Sequence, residues 1–163
     1  MSIIKHQRSL NLILFFCIFA LISAYFIQYI LGHQPCNLCL IERVPYISAI
    51  IIILLCFYLK KFEKISLIFL SLIFFLATIV SFYHFGIEQG FVKESLVCDL
   101  DAGDKILNPE ELLKALKEKT VSCKDVTFKI FGLSLATINI FISSILSVIT
   151  MKHFLNYEKN RQK

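Results

Sequence analysis

The sequence predicts an all-α membrane protein: an antiparallel four-transmembrane-helix bundle with two outward-facing cysteine loops. Three observations carry this expectation. Of the 163 residues, 57% are hydrophobic and 18% charged, a balance far from that of soluble domains. The apolar residues gather into four long runs that are almost free of charge, as a bilayer core requires. Lys and Arg flank these runs unevenly, and four of the six cysteines fall in the polar stretches between them. A net charge of +5 would suit nucleic acid, but the basic residues sit beside the apolar runs, where membrane topology puts them. The expected surroundings are therefore a lipid bilayer, with no nucleic-acid partner.

The chain reads as a single membrane domain, 1–163, with spans at about 10–31, 40–59, 65–87 and 128–151. Leu10 to Leu31 carries no charge. Its core is too long for a signal peptide and no small-x-small cleavage pattern closes it, so it is read as an uncleaved first span. Val44 to Leu59 alone would reach only about 24 Å at 1.5 Å per residue. Leu40 and Ile41 are expected to lengthen it, leaving Glu42 and Arg43 at the membrane surface. Pro45 is tolerable so close to a helix start. Ile65 to Ile87 forms the third span and Phe128 to Met151 the fourth. Pairs such as Ala20/Ala24, Ala77/Ser81, Gly132/Ala136 and Ser143/Ser147 have the small-xxx-small spacing that lets membrane helices approach closely.

Orientation follows from charge. Lys5, Arg8, Lys60, Lys61, Lys64, Lys152, Lys159, Arg161 and Lys163 would all lie on one face of a four-span protein. The positive-inside rule assigns that face, and both termini, to the cytoplasm. The loops at about 32–43 and 88–127 then face outward, which in a bacterium means the periplasm. Cys36, Cys39, Cys98 and Cys123 all land there, in a compartment that permits disulfides. Within the second loop, Asn108, Pro109, the acids at 110 and 111 and the lysines near 119 read as a short capped helix. Its Leu112, Leu113 and Leu116 stripe suits either the bilayer surface or the loop itself.

The chemistry concentrates in His33-Gln34-Pro35-Cys36-Asn37-Leu38-Cys39-Leu40-Ile41-Glu42-Arg43. A helix starting near Pro35 would put Cys36, Cys39 and Arg43 on one face. The helix dipole and Arg43 would then favour a Cys39 thiolate. Glu42, also within reach of Cys39, is expected to point to water or to pair elsewhere. A disulfide across two intervening residues removes little unfolded-chain entropy, so C-x-x-C reads as an exchangeable dithiol. Cys98 and Cys123 could equally be a structural staple. A zinc site is the weaker candidate, because the second cysteine pair is widely spaced, and no metal is expected. Cys17 and Cys56 fall mid-span and read as apolar filler. His84, at the outer end of the third span, has Glu88 one turn on, which could hold or charge its imidazole. A helix-end histidine reaching for water is the plain alternative.

The run Pro35-Cys36-x-Leu38-Cys39-x-x-Glu42-Arg43 resembles the first active-site loop of the bacterial disulfide-bond formation protein family, DsbB and its relatives. Tyr83-His84-x-Gly86-x-Glu88 is similar to the end of the third helix in alphaproteobacterial-type members. Cys123-x-Asp125 with Gly132-Leu133-Ser134 resembles the approach to their fourth helix. The 99–122 segment carries no such motif. The resemblance implies a relay in the bacterial inner membrane. A reduced thioredoxin-fold thiol oxidase (DsbA-like) would attack a Cys98–Cys123 disulfide, most readily at Cys98. Cys36–Cys39 would reoxidise that pair through a transient Cys36–Cys123 bridge. Cys39, beside Arg43, would pass electrons to a membrane quinone, ubiquinone or menaquinone, with His84 donating a hydrogen bond or proton. The alternatives are a vitamin K epoxide reductase-like enzyme, whose extra cysteine pairs are absent here, and a non-enzymatic membrane protein with stapled loops.

Overall fold

The structure, a computed structural model, describes residues 2–59, 63–93, 98, 122–124, 128–130 and 132–161. The short helix expected at 109–119 lies outside the described residues. Four helical segments are long and apolar enough to cross a membrane: Gln7–Tyr29, Asn37–Leu59, Lys64–Glu88 and Leu135–Asn156. They belong to α1 (Ser2–Tyr29), α2 with α3 (Asn37–Ile41 and Val44–Leu59), α4 (Glu63–Glu88) and α5 (Leu135–Arg161). A two-residue ribbon, β1 (Lys129–Ile130) paired antiparallel with β2 (Leu133–Ser134), precedes α5.

Two boundaries differ from the sequence expectation. The second span is interrupted at Glu42 and Arg43, which form a turn between α2 and α3. Pro45 explains the break, because it has no N–H to return to the Ile41 carbonyl and its ring crowds that oxygen. The fourth helix begins at Leu135 rather than near Phe128. Gly132, at φ +83°, reverses the chain in a conformation that only glycine adopts cheaply, and β1 and β2 pair across the turn. Ser134 then caps α5, its Oγ accepting the Thr137 N–H at 3.2 Å.

In a bilayer the helices gain nothing by hiding leucine from lipid, so close packing and hydrogen bonds decide which faces meet. The most extensive contact is between α4 and α5. Ala77, Ser81, Ala136 and Ser143 are all buried. Ser71 Oγ donates to the Ser147 carbonyl at 3.5 Å, and Ser147 Oγ donates back to the Ser71 carbonyl at 3.3 Å. Toward α1 and α3 the core is larger and apolar, built on Leu10, Ile13, Tyr46, Ile53, Leu67 and Phe74. Cys17 and Cys56 lie within it, as inert filler would. Leu72, Phe75, Leu76 and Phe82 face outward, where lipid covers them.

The two ends of the bundle differ. At one, Ser9 Oγ meets His153 Nε2 at 2.5 Å and Lys64 lies over the Phe154 ring. At the other lie the cysteines of the two loops. If the reciprocal serine contact draws α4 and α5 together, Ser71→Leu will overpack it. A loss of about 1–3 kcal/mol is expected, read as a lower melting temperature in detergent. Leu72→Phe, on the lipid face, should leave the melting temperature unchanged; equal losses at both positions would contradict the packing described.

Candidate active site

Cys36 ends the first loop in extended backbone (φ −73°, ψ 168°) and is itself the N-cap of α2. Its Sγ accepts the Cys39 N–H at 3.3 Å, doing for α2 what a serine oxygen does at an ordinary cap. One helical turn brings the Cys39 Sγ to 2.8 Å from the Cys36 Sγ. The α2 turn thus presents the two sulfurs as a pair ready to close.

Behind Cys36 stands His84 of α4. Its Nε2 lies 3.5 Å from the Cys36 Sγ and its Nδ1 lies 2.9 Å from Glu42 Oε1. Glu42 therefore does not point to water: it is buried and pairs with the histidine. Its other oxygen accepts the Asn139 side-chain amide at 3.0 Å. Asn139, from α5, also donates to Ser81 Oγ at 2.8 Å and accepts the Tyr46 hydroxyl. Each side chain of this hydrogen-bonded series has a partner within it, as a membrane interior demands. The series runs Tyr46–Asn139–Glu42–His84–Cys36 and draws on every helix from α2 to α5. With Nδ1–H donated to a carboxylate, the imidazole turns Nε2 toward the sulfur, the arrangement by which a base activates a thiol. The Cys36 thiol is drawn well below the ordinary thiol range, first by the hydrogen bond from Cys39 and then by His84.

The second loop reaches the same place. Cys98 and Cys123 form a disulfide, with Cα atoms 5.9 Å apart. It packs with Cys36, Leu38 and Ile87 in one buried cluster, with Cys39 and Tyr83 against it. All four loop cysteines are thus brought together.

On the opposite side Cys39 lines a cavity of about 350 Å³ between α1, the α2–α3 turn and α5. Its walls are apolar, from Phe16, Ala20, Ala24, Ile138 and others. Gln28, Glu42, Arg43 and Asn139 are among its polar residues. Ala20 and Ala24, expected to bring helices together, instead leave room here. Arg43 donates from Nη1 to Gln28 Oε1 at 2.6 Å and its guanidinium stands 4.9 Å from the Tyr25 ring centroid. Arg43 lies in the turn between α2 and α3, and α1 holds it at the wall of the cavity that Cys39 also lines. His84 does not line the cavity. The sequence expectation put it at an electron acceptor; the third helix instead carries it behind Cys36. A lining of this kind, apolar with a few polar groups, suits a largely apolar ligand that carries hydrogen-bond acceptors.

The chain matches the disulfide bond formation protein DsbB family over residues 6–152. The protein belongs to the DsbB family. It is also 30% identical to an uncharacterized protein of Rickettsia prowazekii (strain Madrid E), over 83% of this chain and 81% of that one. A multi-pass membrane protein of disulfide bond formation accounts for what a soluble thiol enzyme does not: four spans with both cysteine pairs gathered at one end. The DsbB family match favours this reading over a vitamin K epoxide reductase-like one.

Asn139, Gln28 and Tyr46 were not visible as site residues in the sequence, where they read as parts of apolar runs. The signal for Asn139 was its being an amide in the middle of a span, which must find a partner there. If His84 activates Cys36, His84→Ala will raise the Cys36 pKa by about one unit or more, ~1.4 kcal/mol per unit. Alkylation of Cys36 against pH, in reduced protein lacking the other cysteines of the loops except Cys39, reads this directly. The wild-type profile should lie at lower pH than the variant's, and superimposed profiles would show that His84 does not act on the sulfur.

Proposed function

We propose that this protein is a membrane protein-dithiol:quinone oxidoreductase. It reoxidises a periplasmic thioredoxin-fold thiol oxidase of the DsbA kind and delivers the electrons to a quinone in the bacterial inner membrane, with both termini cytoplasmic. One observation carries this reading: Cys36 touches the Cys98–Cys123 cluster while its neighbour Cys39 lines the apolar cavity. The C-x-x-C pair stands between an outer disulfide and a lipid-side pocket, which is where a relay needs it.

The steps balance as successive thiol–disulfide exchanges. The reduced partner's thiolate attacks Cys98, and Cys123 leaves as a thiolate. Cys123 attacks Cys36 of the Cys36–Cys39 disulfide, and Cys39 leaves as a thiolate. The partner's second thiol attacks its own sulfur bonded to Cys98, releasing the oxidised partner. Cys98 then attacks Cys123, restoring the outer disulfide and leaving Cys36 and Cys39 as a dithiol. A quinone in the cavity, ubiquinone or menaquinone, supplies the two-electron, two-proton acceptor. Arg43, held by Gln28 and Tyr25, orients that group and offers a cation where charge develops on its oxygen. His84 holds the Cys36 proton and Glu42 fixes the tautomer that allows it. The apolar walls keep water from the exposed sulfur.

Purified protein, a reduced thioredoxin-fold oxidase and a soluble quinone test the reading by the loss of quinone absorbance. Serine at Cys36, Cys39, Cys98 or Cys123 should abolish turnover, and serine at Cys17 or Cys56 should not. Full turnover without Cys98 or Cys123 would make that disulfide a staple. Arg43→Met should raise KM for quinone about tenfold, near 1.4 kcal/mol. Arg43→Lys, which keeps the charge without the planar fork, should fall between. An unchanged KM in both would reduce Arg43 to an interfacial anchor of the second span.

A further inference from the structure

The grouping of Cys36, Cys39 and His84 has a property that electron relay does not need. Their ligand atoms, two Sγ and Nε2, all lie within 4.8 Å of one another. The His84 Nδ1 is engaged by Glu42 Oε1 at 2.9 Å, and Glu42 is itself held by Asn139. That is the support found behind metal-binding histidines: a carboxylate takes one ring N–H, fixes the ring and turns the other nitrogen toward the ion. A fourth donor stands beside them. Glu88 Oε1 is 3.8 Å from His84 Nε2, and the Glu88 side chain is only 6% exposed. Its Oε2 is buried and has no hydrogen-bond partner among the described residues. An orphaned carboxylate oxygen inside a membrane protein is costly, and here the carboxylate that carries it borders the imidazole.

We propose that the dithiol form of this site binds a zinc-class divalent metal ion through Cys36 Sγ, Cys39 Sγ, His84 Nε2 and the Glu88 carboxylate. Two sulfurs, one imidazole and one carboxylate form a donor set of the kind zinc takes in a tetrahedron. With Zn–S near 2.3 Å and Zn–N near 2.0 Å, ligand atoms in such a site stand roughly 3.3–3.8 Å apart. The Cys36–His84 distance of 3.5 Å and the His84–Glu88 distance of 3.8 Å already meet this. The two sulfurs, at 2.8 Å, must open by about 1 Å to reach that spacing. Glu88, which stands beside the histidine and outside the close group of Cys36, Cys39 and His84, must turn its carboxylate toward the sulfurs. Binding moves no electrons: each thiol gives up its proton to solvent and each sulfur donates a lone pair. The disulfide form offers no thiolate and loses the site. Metal and disulfide are then alternative states of one pair of sulfurs, and the ion would hold the enzyme in its reduced, idle state. The redox gate rests on the cycling of Cys36 and Cys39 proposed above. Metal capture by the dithiol does not.

The test uses full-length protein in detergent with Cys98 and Cys123 both replaced by alanine, so that the loop thiols are Cys36 and Cys39 alone. Cobalt(II) is titrated into the reduced protein and then displaced by zinc. The expected result is one cobalt per chain with intense visible bands of tetrahedral coordination and a sulfur-to-cobalt charge-transfer band. Diamide oxidation should abolish them. Cys39→Ser should remove the charge-transfer intensity in large part, and His84→Ala and Glu88→Gln should each weaken binding tenfold or more. Helical circular dichroism identifies any variant that fails to fold, and Glu88→Gln, the mildest change, then decides. Absence of tetrahedral bands in the reduced protein would overturn the proposal. So would binding that survives oxidation, or binding to which both His84→Ala and Glu88→Gln are indifferent, since a bare dithiol would explain that. If this titration succeeds and quinone reduction fails, the metal site stands without the relay; the converse leaves the relay without the metal.

Discussion

One carboxylate ties the cysteine end of the bundle together. Glu42 Oε1 takes the His84 proton and Glu42 Oε2 takes the Asn139 amide, so the turn after α2, the end of α4 and the first turns of α5 share a single acceptor. A buried acid at the edge of lipid is costly unless its oxygens find donors, and both oxygens of Glu42 do. That demand fixes the positions of its partners, and through them the rest. Asn139 must face inward, which sets the rotation of α5 and brings Ser143 and Ser147 against α4. His84 must face the α2 turn, which sets the rotation of α4 and puts Nε2 on Cys36. Pro45 supplies the break that lets Glu42 turn inward while Arg43 turns toward α1. Two adjacent charged residues at one helix junction thus serve opposite sides of the C-x-x-C pair: the acid supports Cys36 and the base supports the cavity that Cys39 borders.

This division of the dithiol explains why two sulfurs 2.8 Å apart can have separate roles. Cys36 has the polar neighbours that hold a negative sulfur, and it packs against Cys98 and Cys123. Cys39 has the apolar neighbours and opens on the cavity. In the relay proposed above, exchange with the Cys98–Cys123 disulfide would use the first environment and electron delivery to a lipid-soluble acceptor the second.

The fold class was legible because four long charge-free runs leave few alternatives in a bilayer. The grouping of the loop cysteines at one end of the bundle was legible from the order of four spans and two polar loops, and the C-x-x-C pair from its resemblance to a known loop. Less was legible where one residue redirects the chain. Gly132 delays the fourth helix to Leu135, and a glycine in an apolar run gives no warning of a turn. Pro45 was read as compatible with a helix start, which it is, but it also divides the second span into α2 and α3 at Glu42 and Arg43. Asn139 could have been singled out as an amide within a span, yet its partner could not, because Glu42 lies 97 positions away in the chain and meets it only after folding. His84 was recognised as unusual, and Glu88 does stand beside it, but its nearer partner was missed. Helical spacing pairs it with Glu88 at i, i+4, while the tertiary contact with Glu42 is the shorter one, 2.9 Å against 3.8 Å.

The central claim is that the two cysteine pairs communicate through Cys36. It is tested most directly by identifying the bridge that joins the loops. In the Cys39→Ser and Cys36→Ser proteins the remaining C-x-x-C thiolate can attack the Cys98–Cys123 disulfide, forming a bridge to Cys123 and releasing Cys98 as a thiolate. The proteins are incubated at neutral pH, quenched in acid and digested without reduction, and the linked peptides are identified by mass spectrometry. The account predicts a Cys36–Cys123 bridge in the Cys39→Ser protein and no Cys39–Cys123 bridge in the Cys36→Ser protein. The reverse pattern would show that Cys39 faces the outer disulfide and that the roles assigned to the two sulfurs are exchanged.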